Sequence, residues 1–332
     1  MKRYMVILLL VMPVCLVLLP ALLVYYFSPG EPSNVPTAVI GNQGKSVPQI
    51  PIKIYREQKK KIDTVPLETY IEGVVSAEMP AEFELEALKA QAMAARTYII
   101  KRLHERRLSD VPEGAHVTDT VQHQAYLDEQ QRKERWGAQY EWKTKKIKQA
   151  VSETMGIVLT YQGEPIDATF FSTSNGFTEN ANEYWEKQIP YLRSVASPWD
   201  IESPRFEEKV TLSIGELEQK LGVRLDSQAI SKGSWYQVLD TTTGNRIGRV
   251  RIGTKEFSGR EIREKLGLNS SSFTMRLSAK QVTITTRGYG HGVGMSQWGA
   301  NGMAKRGNNA EQIVKYFYRG ITLQNYNQVK RG

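Results

Sequence analysis

Between Arg287 and Ala304 the chain reads "RGYGHGVGMSQWGANGMA", six glycines interleaved with a tyrosine, a histidine, a tryptophan and two methionines. So much bare backbone permits positive φ and close approach of main chain to whatever lies against it. A nucleotide loop, a metal site, a catalytic loop and a structural turn compete for it. The nucleotide loop is weak, because G-Y-G-H-G-V-G lacks the dinucleotide spacing and the helix with its usual acidic residue. A metal site is weak too, because His291 has no partners at ligand spacing.

The chain's start adds a second constraint. After Lys2 and Arg3, residues 4–27 carry no charge, and a bilayer span needs about 20 such residues. The run exceeds the about 7–15 residues of a signal-peptide core and closes on Tyr25, Tyr26 and Phe27, placed like an interfacial aromatic belt. We expect an uncleaved single-pass anchor in the cell membrane, N-terminus cytoplasmic, with the rest outside. The only cysteine, Cys15, lies inside that run, which excludes an internal disulfide and a thiolate zinc site. The net charge of +9 suits an anionic surface or wall polymer better than nucleic acid, which an exported domain does not meet.

Residues 28–51 are rich in Pro, Gly, Ser and Asn and read as a flexible stalk. Residues 52–325 read as the folded domain: α+β, mixed helices and antiparallel strands around a cleft, without βαβ regularity. Ile52 opens a first strand, a helix runs from Pro66, and a long helix follows Pro80. Residues 109–145 read as polar and irregular, and "GIVLTYQGEPIDATFF" as two strands about a Gln-Gly turn. Residues 206–268 read as an inserted subdomain, with a hairpin around "TGN" and Ser258 capping a helix. Ser296 and Gln297 open the next helix, and "NAEQIVKYFYRG" is amphipathic.

On the helix from Pro66, Tyr70, Ile71, Val74 and Val75 form an apolar stripe that reaches Glu78 four residues on. Pro80 disfavours helix at Met79 and so ends the helix at Glu78. Burial and the negative helix C-terminus both favour the neutral carboxyl, the state of a general acid near neutral pH. Glu68 and Glu72 fall off the stripe, towards water. The spacing leaves two readings open: a catalytic acid, or a glutamate paired with an arginine. On the following helix Ala87, Ala90 and Ala94 form a small-residue face, while Lys89 and Arg96, seven apart, share a side and meet either carboxylates or water.

Five blocks in order, "VVSAEMP", "EALKAQAMAARTY", "FFSTSNGFTENANEYW", "IPYLRSVASPWD" and "GYGHGVGMSQWGANGMA", resemble the stage II sporulation protein D family, which includes domains of amidase enhancers. The resemblance implies a peptidoglycan lytic transglycosylase of sporulation engulfment, a glycan lyase. It cuts between N-acetylmuramic acid and N-acetylglucosamine in strands stripped of stem peptides. The muramic C6 hydroxyl attacks and a 1,6-anhydro ring forms, so one carboxyl serves as acid and then base, where a hydrolase uses two. Glu78 matches the family's glutamate. The resemblance implies a partner amidase and a further membrane protein, and gives supporting roles to Lys89, Arg96, Ser172, Ser174, Asn175, Tyr191, Asp200 and His291. Lys89 and Arg96 are expected to grip the lactyl carboxylate. Asp200 is expected to face a developing positive charge or to position Tyr191 or Arg96. His291 is expected at the surface of a glycine-walled glycan cleft. Tyr184, Trp185, Tyr191 and Trp199 are either sugar platforms or core. No cofactor and no metal are expected, with His104, His116 and His123 at the surface. The competing class is a non-enzymatic glycan-binding activator of an amidase.

Overall fold

The computed structural model describes residues 50–329; the expected anchor and nearly all of the expected stalk lie outside them. Among the described residues no helix is long and apolar enough to cross a membrane. The architecture is α+β.

The body opens with β1 (Pro51–Arg56) and β2 (Lys61–Pro66), an antiparallel pair in which Ile52 faces Val65. Helix α1 (Leu67–Glu78) and helix α2 (Leu85–His104) follow, then β3 (Val117–Thr118), which joins β1 in parallel. The stretch expected to be irregular to residue 145 is helical from Glu129 onward, as α3 (Glu129–Trp136) and α4 (Tyr140–Glu153). Helix α4 runs on past residue 145 and buries Ile147, Ala150 and Val151. Asp128 and Gln131 close a capping box at the start of α3.

Strand β4 (Ile157–Tyr161) turns through Gln162 and Gly163, both at positive φ, into β5 (Glu164–Pro165). Strand β6 (Phe170–Phe171) and the short α5 (Ala181–Trp185) lead to a 3-10 turn at Pro198–Glu202. The chain returns to the body through β13 (Met295–Ser296), parallel to β6, then the helix Gln297–Ala304 capped by Ser296, the amphipathic helix Ala310–Phe317 and β14 (Thr322–Asn325) on β4. Helix α2 is the axis of this body. Ala87, Ala90 and Ala94 are fully buried, so α1, α4, β4 and the two C-terminal helices close on it. Its first turn lacks a side-chain cap of its own; the Glu84 N–H instead donates to Asn301 Oδ1 at 2.8 Å.

The inserted region is larger than expected. Strands β7 (Glu207–Ser213), β11 (Phe273–Ser278) and β12 (Gln281–Arg287) form one sheet with β12 central, and β8 (Tyr236–Thr241), β9 (Ile247–Ile252) and β10 (Lys255–Ser258) form another. Ile284 faces Val210 across the first sheet. With the helices Ile214–Leu221, Ser227–Ser231 and Gly259–Leu266, they enclose a second core from Leu212 to Ile284. The insertion therefore ends near Arg287 rather than Leu268, because β12 closes the sheet that β7 begins.

Candidate active site

Helix α1 buries Tyr70, Ile71, Val74 and Val75 completely and ends at Glu78, with Met79 in extended geometry. Glu78 is thereby delivered to the wall of a cleft of about 480 Å³. It is lined by residues 76–83, by Arg135, Trp136 and Lys143, and by Ser172, Pro204, Arg205, Gln297 and Trp298. The Trp298 ring meets Phe83 edge-on at 4.9 Å, and its backbone N–H donates to the Ser172 carbonyl at 3.1 Å.

The Glu78 carboxyl is half-buried, and one hydrogen bond reaches it, from the Ala125 N–H to Oε1 at 2.8 Å. Burial pushes its pKa above the ordinary glutamate value and the Ala125 donor opposes that in part. Spacing on α1 alone left an arginine partner open; no arginine pairs with Glu78 among the described residues.

The segment carrying Ala125 is held firmly. Gly73 lets it approach: a Cβ there would stand 2.8 Å from the Leu127 carbonyl and 2.2 Å from Tyr126 Cε2. Tyr126 stacks on Tyr70, whose hydroxyl donates to Gln124 at 3.0 Å. Arg56, 2% exposed, ties both ends of the segment through Asp119 at 2.8 Å and Gln131 at 2.6 Å.

Glu82 shares the cleft but differs in state. Lys143 holds it at 2.7 Å and keeps its pKa below the ordinary value. The Lys143 cation also lies over the Trp136 and Trp142 rings.

Of the expected supporting residues, Ser172 lines this cleft and the others lie elsewhere. Lys89 and Arg96 do share a side of α2, but that side faces α4. Lys89 pairs with Glu86 and Glu153. Arg96 is fully buried, grips Glu68 at 2.6 Å and donates to the Ile157 and Val151 carbonyls. Glu68, expected to reach water, is thus committed to that arginine. Asp200 is fully buried and contacts neither Tyr191 nor Arg96; it accepts from the Ser174 N–H at 2.7 Å and from the Ser197 and Ser296 hydroxyls. It is the knot that ties the 172–176 loop, the 198–202 turn and the Gln297–Ala304 helix, and through them Ser172 and Trp298. Ser174 belongs to that knot, and its hydroxyl accepts from the Gly176 N–H. Asn175 donates to the Gly244 and Asn245 carbonyls and so joins body to insertion. Tyr191 is buried beside Asp167, at another cleft with Lys101 and His104.

The glycine run is not a glycan wall. Gly288, Gly290, Gly292 and Gly294 all have positive φ, and the chain they form packs inside the protein. A Cβ on Gly292 would stand 2.7 Å from Arg246 Nε. His291 lies against Phe171, Tyr184 and Trp185, bonded to the Phe170 carbonyl through Nε2 and to the Val293 N–H through Nδ1. Packing around the ring pushes its pKa down to about 4, so it stays neutral. Tyr184 and Trp185 belong to that cluster, and Trp199 packs on Tyr316. His123 is buried rather than at the surface, between Thr118 and Asp110.

Trp136, Lys143, Arg135, Arg205 and the Ala125 N–H carried no sequence signal as site residues. The first three stood in a stretch read as irregular, and a backbone donor leaves no trace in side-chain chemistry.

The family model described as "Stage II sporulation protein" matches residues 55–161, which contain Glu78 and the Ala125 segment. The chain is 48% identical to stage II sporulation protein D of Bacillus subtilis, over 82% of this chain and 79% of that protein. It is 46% identical to the protein of that name from Bacillus amyloliquefaciens, over 82% and 78%. An amidase enhancer of Bacillus subtilis is 31% identical, over 77% of this chain and 40% of that protein.

Proposed function

Since this chain belongs to the stage II sporulation protein D family, a sporulation family, we propose that it is a peptidoglycan lytic transglycosylase with Glu78 as its single catalytic carboxyl. The observation that carries the reading is the setting of Glu78: half-buried in a cleft that Trp136 and Trp298 also line, held by one backbone donor, with burial raising its pKa above the ordinary glutamate value.

In this reading Oε1 keeps the Ala125 N–H and the proton sits on Oε2. Glu78 protonates the oxygen joining muramic C1 to N-acetylglucosamine C4. The C1–O bond breaks with its electron pair on that oxygen, and the muramic C6 hydroxyl closes on C1. Glu78 takes the hydroxyl's proton, so the acid is regenerated and a 1,6-anhydro end remains. One carboxyl suffices because the nucleophile belongs to the substrate, whereas hydrolysis ordinarily uses a second carboxylate. In this reading Glu82 stays paired with Lys143 at 2.7 Å and takes no part in the cut.

The wider setting is part of the proposal: an anchor over residues 4–27, the domain outside the cell membrane, and engulfment partners that include an amidase and a further membrane protein. The match to an amidase enhancer favours one other reading, a glycan-holding activator that makes no cut. Product analysis separates them. With peptide-free glycan strands, the wild-type chain releases anhydromuramyl ends and Glu78→Gln lowers the rate by about 10²–10⁴-fold, the usual worth of an acid–base group. Binding without products in the wild type would establish the activator. Glu82→Gln is expected to leave product identity unchanged; a collapse comparable to Glu78→Gln would overturn the single-carboxyl mechanism.

A further inference from the structure

Displacement of Lys89 and Arg96 from the cleft leaves open what reads the substrate's charge, and the geometry points to Arg205. We infer that its guanidinium, stacked on Tyr289, is the carboxylate-reading group of the cleft and selects muramyl glycans over glycans without acid groups. This rests on the glycan reading above.

Arg205 stands where the chain leaves the body for the insertion, and Tyr289 where it returns. The two crossings are bonded together, Gly288 N–H to the Phe206 carbonyl at 2.8 Å. Each is anchored to the body on its own side. The Ser203 N–H donates to the Asp200 carbonyl at 2.9 Å, and the Arg205 N–H to Ser203 Oγ at 3.2 Å. Tyr289 exchanges two backbone hydrogen bonds with Thr173, at 2.7 and 3.0 Å. On this frame the Arg205 guanidinium lies 3.7 Å from the centre of the Tyr289 ring, and its Nε donates to Glu208 at 2.7 Å. One face and one edge are thus fixed. The Nη atoms make no hydrogen bond among the described residues, and the residue lines the cleft with Glu78. A planar guanidinium with a free edge and a fixed orientation suits two-point recognition of a carboxylate.

The other cations of the cleft suit that role less well. Lys143 is matched by Glu82 at 2.7 Å. Arg135 makes no ion pair among the described residues, but no ring or hydrogen bond orients it either. With Glu78 in the acid form that the proposed reaction starts from, the cleft carries Arg135, Lys143 and Arg205 against Glu82 alone, so its net charge favours an anion. In a glycan strand without stem peptides, the lactyl ether of muramic acid carries the one carboxylate of each repeat. N-acetylglucosamine carries none.

The test measures binding by the full chain carrying Glu78→Gln, so that turnover does not intervene. Three ligands are compared: peptide-free muramyl strands, the same strands with lactyl carboxylates reduced to alcohols, and chitooligosaccharides. The acid strands are expected to bind about ten- to hundredfold more tightly than the reduced ones, the worth of a charge-assisted contact. Adding Arg205→Gln is expected to bring that preference to within about twofold while leaving affinity for reduced strands unchanged. Adding Tyr289→Leu, which removes the stacking face, is expected to lower the preference part of the way. Retention of the full preference by Arg205→Gln overturns the inference, as does equal weakening towards acid and reduced strands. Failure of the starting protein to bind any of the three instead defeats the glycan reading.

Discussion

At the scale of single residues, the same side chain types take opposite roles according to their partners. Glu78 and Glu68 lie on one helix, ten residues apart. Glu68 is held by Arg96 and Glu78 by a lone N–H. Glu68→Ala leaves a fully buried guanidinium without its counter-ion and is expected to cost about 2–3 kcal/mol in urea unfolding, a breaking cost moderated by the partial exposure of Glu68. Lys89→Ala removes two partly exposed pairs and is expected to change stability by less than about 1 kcal/mol, with product formation intact. Loss of product at unchanged stability in Lys89→Ala would return that lysine to the site. The pH dependence follows from the sign at Glu78. An acid with a raised pKa stays protonated to higher pH, so kcat/KM is predicted to fall as pH rises through a value above 4.5, the ordinary value for glutamate. A profile that rises through that range would show that the carboxylate, and not the acid, starts the reaction.

At the scale of elements, the site depends on the segment from Val117 to Asp128 lying flat on α1. Gly73 makes that possible, and Gly73→Ala is expected to displace Tyr126 and Leu127, at about 1–3 kcal/mol of overpacking. The Ala125 donor moves with them. Loss of activity in excess of the unfolded fraction, read by circular dichroism beside product yield, would tie the segment to catalysis; full activity at native stability would show that Glu78 does not need it. The same segment marks how far the sequence could be read. Helix α1, its buried stripe and the exit at Glu78 were legible, because spacing, Pro80 and apolarity all bear on one short stretch. The glycine run was legible as positive φ and close approach, but not as to what approaches. Arg246, about 45 residues before it, fills the space that a glycan was expected to occupy. Lys89 and Arg96 show the same limit: their shared side was correct, and the element facing it was α4. Local pattern gives direction along one element, whereas partners come from pairings tens to hundreds of residues apart, such as Ala125 with Glu78.

At the scale of the whole molecule, two cores are joined by a small set of polar contacts. Glu179, 1% exposed, accepts from the Gly244 N–H and the Thr242 hydroxyl of the insertion and faces Arg246 at 3.8 Å. Burial lifts its pKa to about 7. A carboxyl raised above its unfolded value contributes stability below about pH 4.5 that is lost as pH rises through about 7. Thermal or urea unfolding is therefore expected to show a loss of roughly 1–3 kcal/mol between pH 5 and pH 8, flattened in Glu179→Gln. An unchanged slope in the variant would place the titration elsewhere. The insertion also supplies the cleft indirectly, since its two crossings carry Arg205 and Tyr289. In the proposed reaction one carboxyl cuts the strand while the substrate attacks itself. Digestion of peptide-free glycan strands in ¹⁸O-labelled water, read by mass spectrometry, distinguishes this from hydrolysis. Unlabelled 1,6-anhydromuramyl ends, absent with Glu78→Gln, are the predicted result. Reducing ends carrying one ¹⁸O would show that water attacks, and would contradict it.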